Sequence, residues 1–288
     1  MRTSLATIAV LLGLALQARG GETVKSVPAS SSGARPVSKT ILPAPKSTAP
    51  SPKTQGSDSP TAATSSMALA RPWPHESSNI KPDPRIVWGK LDNGLRYVIM
   101  PVKSPGRAAL QLYINAGSLM ETDNQQGVAH FLEHMAFNGT KHFPAGQMIE
   151  YFQRLGMSFG AHTNAFTDFD RTVYQIELPR TGADMTGEGL KLFRDLLDGM
   201  LLEKGQIDRE RRVIFSEKLA RDSAGLRALV AFNEFTLPDT LVPRRVPIGT
   251  DKTLRAMSRE QFVDFYDKWY TPGRATIVAV GNFDVKMV

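Results

Sequence analysis

An α+β domain, with helices packed on one face of a mainly antiparallel sheet, is the fold that this 288-residue sequence predicts. Three observations carry that expectation. Residues 85–91 and 95–100 are apolar-rich runs on either side of Asp92-Asn93-Gly94, whose Asn-Gly step is a hairpin signal. Tyr174, Ile176 and Leu178 alternate within residues 172–178, the period-two pattern of a half-buried strand. Strand and helix patterns then mix without the regular βαβ alternation that builds a parallel sheet, which favours helices layered on an antiparallel one.

The chain opens on a charged start at Arg2, an apolar stretch at residues 5–16, and small residues Ala18 and Gly20 before a plausible cut. That is the make-up of a signal peptide over residues 1–20, and the apolar stretch is shorter than the roughly 20 residues a membrane span needs. The expectation is an exported protein, periplasmic or secreted, with no transmembrane segment after signal cleavage. Residues 21–84 hold 11 of the 19 prolines and almost no aromatics. A stretch of that kind buries too little apolar surface to offset its ordering entropy, so a disordered, Pro/Ser/Thr-rich linker is expected there. Residues 1–84 also carry 9 basic against 4 acidic side chains, so most of the +7 formal charge belongs to the tail. The remainder is nearly neutral and gives no basis for binding nucleic acid, which calls for a basic patch on the folded part. The absence of cysteine excludes disulfides, thiol catalysis and cysteine-based zinc sites.

Residues 85–288 are long enough for one domain with a proper core. After the hairpin, Leu110, Leu112 and Ile114 mark a third strand over 109–116. Gly139 suits the end of the helix before it, and residues 147–155 read as a short helix stopped by Gly156. Leu190, Phe193, Leu197 and Leu201 recur at helical spacing, and residues 207–222 read as another helix. Ser258 and Gln261 have the spacing of a capping box opening a helix over 262–269, and residues 275–280 read as a closing strand of the buried type. No internal repeat is visible.

The chemistry concentrates in His130-Phe131-Leu132-Glu133-His134, inside an apolar run from Gly127 to Gly139. On a helix the two histidines fall one turn apart on one face, with Glu133 at its edge. Two imidazoles so placed can bind one Zn²⁺ while the carboxylate takes a proton from water at the metal. His-x-x-Glu-His is the inverted form of the zinc-protease motif. The third ligand must come from elsewhere. Glu210 and Glu217 are two turns apart on one helical face with Val213 and Ile214 between them. A half-buried carboxylate there needs a partner, either a metal or the neighbouring Arg209, Arg211 and Arg212. His162 could approach the metal but reads as a solvated or hydrogen-bonded strand histidine. His75 and His142 read as incidental, and Trp269 and Tyr270 as core.

Together, His130–His134, the stretch Phe159-Gly160-Ala161-His162-Thr163-Asn164-Ala165-Phe166-Thr167, the helix carrying Arg209 to Glu217, and the close from Trp269 to Asn282 resemble the pitrilysin/insulinase family of inverted-motif zinc metallopeptidases. The resemblance covers residues 85–288 and implies a domain like those of pitrilysin and the mitochondrial processing peptidases. It further implies that His130, His134 and Glu217 hold Zn²⁺, that Glu133 activates water, and that Glu210 supports the site from behind a ligand. Asn164 and Ala165 would sit on an edge strand that holds a peptide or small protein substrate in extended form by main-chain hydrogen bonds. Similar proteases close a chamber with a second homologous domain or subunit, which supplies an arginine and a tyrosine that contact the substrate carbonyl, and this chain ends before such a half. The expected function is therefore a zinc endopeptidase domain that needs a second half or partner chain for full activity. The alternatives are a non-catalytic exported peptide-binding or scaffold module with the same fold, and a zinc hydrolase of non-peptide amides.

Overall fold

The computed structural model describes residues 72–288 apart from 104, 105, 159 and 161. The expected signal peptide at 1–20, and the linker as far as residue 71, lie outside the described residues. Residues 72–84, placed in the linker by composition, carry a 3-10 turn at Pro74–Ser77 and two anchoring rings. Trp73 and His75 lie 4.9 and 4.6 Å from the Trp88 ring, and the Arg96 guanidinium sits 4.6 Å over Trp73. Averaging over a long proline-rich stretch hid that one tryptophan, whose ring area is enough to tie the segment down.

Six strands form one sheet: β1 (Val87–Lys90), β2 (Arg96–Pro101), β3 (Ala108–Ile114), β4 (Thr163–Thr167), β5 (Thr172–Leu178) and β6 (Ala275–Gly281). Their order is β1-β2-β6-β3-β5-β4, and of the neighbouring pairs only β2 with β6 is parallel. The expected hairpin joins β1 to β2, where Gly94 takes φ +95°, a conformation glycine adopts without strain, and Leu91 N–H donates to Leu95 O at 2.8 Å. Leu110, Leu112 and Ile114 on β3 are fully buried beside Ile176 and Tyr174 on β5, to which Leu110 and Leu112 are paired. That face is the one the helices cover.

The last strand departs from expectation. Its apolar run suggested burial on both faces, yet only Ala275, Ala279 and Gly281 are buried, while Val278 and Val280 on the other side are half-buried.

Seven helices follow in the described residues: α1 (Val128–Met135), α2 (Gln147–Arg154), α3 (Ala183–Asp198), α4 (Lys204–Arg221), α5 (Ala224–Thr236), α6 (Asp251–Ala256) and α7 (Arg259–Trp269). In α3 the buried stripe runs through Met185, Gly189, Leu192, Phe193 and Leu196, displaced from the leucine spacing in the sequence, and Leu201 lies beyond the helix end. Gly189 sets the displacement, since a Cβ there would come within 2.7 Å of Leu110 Cδ1, so α3 crosses β3 at this glycine. Helix α5 has no counterpart among the expected elements. Leu229, Phe232 and Phe235 are exposed, so these apolar residues are not gathered into the core. The capping box of α7 is present, with Gln261 Oε1 accepting from Ser258 N–H at 2.9 Å.

Helix α1 is the most enclosed, between the β4–β5 end of the sheet and helices α4 and α7, with Phe131 set edge-on to Phe262 at 4.8 Å. It ends at Met135, and Gly139 (φ +120°) comes three residues after its C-cap Ala136, in the turn that follows. Its start is fixed by Gly127 at φ +95° and by Glu121, whose Oε2 and Oε1 accept from Gly127 N–H and Ala129 N–H, each at 3.0 Å. Two otherwise orphaned donors of the helix N-terminus are thereby satisfied. Burial pushes the Glu121 carboxyl from its ordinary 4.5 up to about 8, against the pull of those two N–H groups and of Arg245. Between these values the folded chain holds a proton that the unfolded chain has released, so this group's contribution to stability falls as pH rises from about 4.5 to 8. In metal-free protein, Glu121→Gln is expected to flatten that part of the profile. Urea unfolding of both proteins at pH 5 and pH 8 measures it, and equal slopes in the two would contradict the assignment.

Candidate metal centre

One helical turn on α1 brings His130 and His134 together with ring centroids 4.8 Å apart. Helix α4 packs against α1 and brings Glu217 to both rings. Glu217 Oε2 stands 3.5 Å from His130 Nε2 and 3.3 Å from His134 Nε2. A tetrahedral site with arms of about 2.0–2.1 Å has edges of roughly 3.3 Å, so this spacing is that of three ligands around one ion. The burial agrees with it. Glu217 Oε2 is buried without a hydrogen-bond partner, and an unpaired carboxylate oxygen between two imidazole nitrogens is a costly arrangement that a cation relieves. His130, His134 and Glu217 are the group of side chains, among the described residues, whose donor atoms converge this way, and they fit zinc.

The choice between a metal and arginine pairing, open in the sequence, resolves into a division within one carboxylate. Oε2 of Glu217 faces the imidazoles while Oε1 pairs with Arg221, one turn further along α4. Arg211 is turned away and donates to Leu254 O and Met257 O. Ile214 is fully buried, whereas Val213 faces solvent.

Glu210 does not reach the convergence point and instead holds His134 from behind. Its Oε1 is 2.8 Å from His134 Nδ1, and its Oε2 accepts from Asn138 Nδ2 at 2.9 Å. A proton on Nδ1 directed at Glu210 leaves the Nε2 lone pair aimed at the convergence point. Burial lowers the His134 pKa, but Glu210 and Glu217 outweigh it and raise the group to about 9. Burial likewise raises the Glu217 carboxyl, but the two imidazoles facing it and the charge of Arg221 hold it well below the usual carboxylate range.

At pH 7.5 His134 therefore carries a proton, which a zinc ion bound at this site would have to displace. Calorimetric titration with zinc in buffers of different ionisation enthalpy is expected to show release of about one proton from this group, and less in Glu210→Gln. No net release would mean that His134 is already neutral.

Glu133 is buried, and its Oε2 accepts from Thr167 Oγ1 at 2.8 Å. Thr167 ends β4, which lies at the sheet edge beside α1 and also carries Asn164 and Ala165. Asn164 is exposed and Ala165 half-buried, and Asn164 Oδ1 accepts from Ala165 N–H at 2.9 Å. Sequence reasoning gave no role to Thr167, Asn138 or Arg221. The latter two were within reach, since each lies four residues after a member of the convergent group, but the Thr167 contact crosses from strand to helix and has no local pattern.

The remaining histidines separate clearly. His162 accepts from Ser158 N–H through Nδ1 at 3.0 Å and is outside the convergent group. His142 is not incidental, because its Nδ1 lies 2.7 Å from Oδ1 of the buried Asp195, which also accepts from Thr140 Oγ1 at 2.7 Å. These contacts fasten the loop after α1 to α3. His75 packs on Trp88. Tyr270 belongs to the core, its hydroxyl 2.8 Å from that of Tyr174.

A sheet covered on one face by helices, with the inverted histidine motif on one helix and a carboxylate delivered by another, defines a pitrilysin-like domain. Residues 97–232 match the family model for Insulinase (Peptidase family M16), and residues 256–288 match the Peptidase M16 inactive domain. The chain belongs to this insulinase/pitrilysin family of peptidases. Over 205 residues it is 41% identical to the probable zinc protease PqqL of Escherichia coli (strain K12), a stretch that makes up 71% of this chain and 22% of that protein. The crystal structure of the first half of the periplasmic protease PqqL from Escherichia coli superposes with a TM-score of 0.69 at 40% identity, covering 73% of this chain and 45% of that one. Pitrilysin superposes with a TM-score of 0.61 at 26% identity, over 73% of this chain and 22% of its own. The chain thus spans under a quarter of the length of the curated relative.

Proposed function

We propose that this chain is a zinc-dependent endopeptidase domain that hydrolyses extended peptides and acts together with a second homologous half or partner chain. The observation that carries the reading is the buried Glu133 carboxylate, which belongs to the same helical turn as a convergent His-His-Glu set. Zinc held by His130, His134 and Glu217 supplies Lewis acidity, which makes water a competent nucleophile near neutral pH. Glu133 accepts a proton from the attacking water and returns it to the leaving amine nitrogen as the peptide bond breaks. Glu210 keeps the His134 ring in one tautomer. Asn164 and Ala165 on the free edge of β4 hold the substrate as an added strand. Export fits residues 1–20 and the periplasmic location in the name of the solved relative, and no helix among the described residues is long and apolar enough to cross a membrane.

The test is a zinc titration of the full chain with a quenched-peptide assay, run alone and with a homologous second half added. Cleavage that disappears with chelator and returns with zinc is expected. Bound zinc with no cleavage in either condition would leave a peptide-binding module, and no zinc binding would leave a scaffold.

A further inference from the structure

Glu133 has a long side chain with several rotatable bonds, and a base of that kind is useful only if its carboxylate is held in one place. Among the described residues the one hydrogen bond on this carboxylate comes from Thr167, at 2.8 Å to Oε2. That leaves Oε1 as the oxygen with free lone pairs. Threonine suits the task, because its β-branched side chain is stiff about χ1. It is also fixed in a strand, paired in register with Thr172 of β5. Its neighbours in β4 two and three residues earlier are Ala165 and Asn164, so the segment given the substrate also carries the group that aims the base.

We propose that Thr167 is a positioning residue for peptide hydrolysis: its hydroxyl orients the Glu133 carboxylate and ties the base to the strand along which the peptide lies. The inference rests on the reading of Glu133 as the base. Loss of the hydroxyl frees the carboxylate to turn, while β4 keeps its shape and the metal ligands are untouched.

Thr167→Val in the full, zinc-loaded chain is expected to lower kcat about 10- to 100-fold, the worth of a hydrogen bond to a charged group. KM and zinc affinity are expected to stay within a few-fold, and Thr167→Ser to restore most of kcat. Full turnover in Thr167→Val, a change confined to KM, or equal losses in the valine and serine variants would each overturn the proposal. If Glu133→Gln is inactive while Thr167→Val is fully active, this inference falls and the base assignment survives. If Glu133→Gln is itself active, the base assignment falls. A second readout needs no activity: in a crystal structure of Thr167→Val the Glu133 carboxylate is expected to leave its position or spread over several rotamers. An unmoved carboxylate would refute the inference even if no peptide is ever cleaved.

Discussion

Glu133→Gln is expected to bind zinc as the unaltered chain does and to lose peptide turnover by at least ~100-fold, the lower end of what general acid–base catalysis contributes. The amide is close to isosteric with the carboxylate, and its oxygen can still accept from Thr167, so the local packing survives. What disappears is a group able to take a proton from water and give it to the leaving amine. None of the three convergent side chains is altered, so metal content measured after gel filtration should match the unaltered protein. Retention of both zinc and cleavage would remove Glu133 from the mechanism. Loss of both would show that the residue holds the site together.

Glu217→Ala is expected to have the largest effect on metal binding. Replacing an outer partner such as Glu210 typically costs about 10- to 100-fold in metal affinity, and loss of a direct ligand should exceed that. The variant leaves two imidazoles one turn apart, a pair that any exposed helix can present, in place of an anionic oxygen 3.3 to 3.5 Å from both rings. It also removes one of the three carboxylates that hold the proton on His134, so that histidine should titrate at lower pH in the metal-free variant. Competition against a chromophoric chelator gives the affinity, and the ring proton resonances of His134 give the titration. Zinc affinity equal to that of the unaltered chain would mean that the third ligand lies elsewhere.

The two halves of the site differ in how they could be read. His130, Glu133 and His134 were legible because a helix fixes the relation of residues three and four apart whatever surrounds it. The pairing of Tyr174, Ile176 and Leu178 with the core was legible for the same reason, since period two is a property of the strand itself. Glu210 and Glu217 share a face by helical spacing, but spacing does not say which of them meets the histidines. His134 and Glu210 are 76 residues apart in the chain, and their 2.8 Å contact exists only because α4 lies across α1.

What the sequence alone determined is local: the histidine pair, the hairpin at Asn93-Gly94, the capping box at Ser258 and the alternation of the sheet. Each follows from dihedral geometry over a few residues. Tertiary structure decided the rest, because burial and distance depend on which elements pack together. It assigned Glu217 to the convergent group and Glu210 to the far side of His134, set Glu121 at the start of the helix that carries both histidines, and brought the Thr167 hydroxyl to Glu133. It also ordered the segment around Trp73 against the first strands, where an average over composition had expected none.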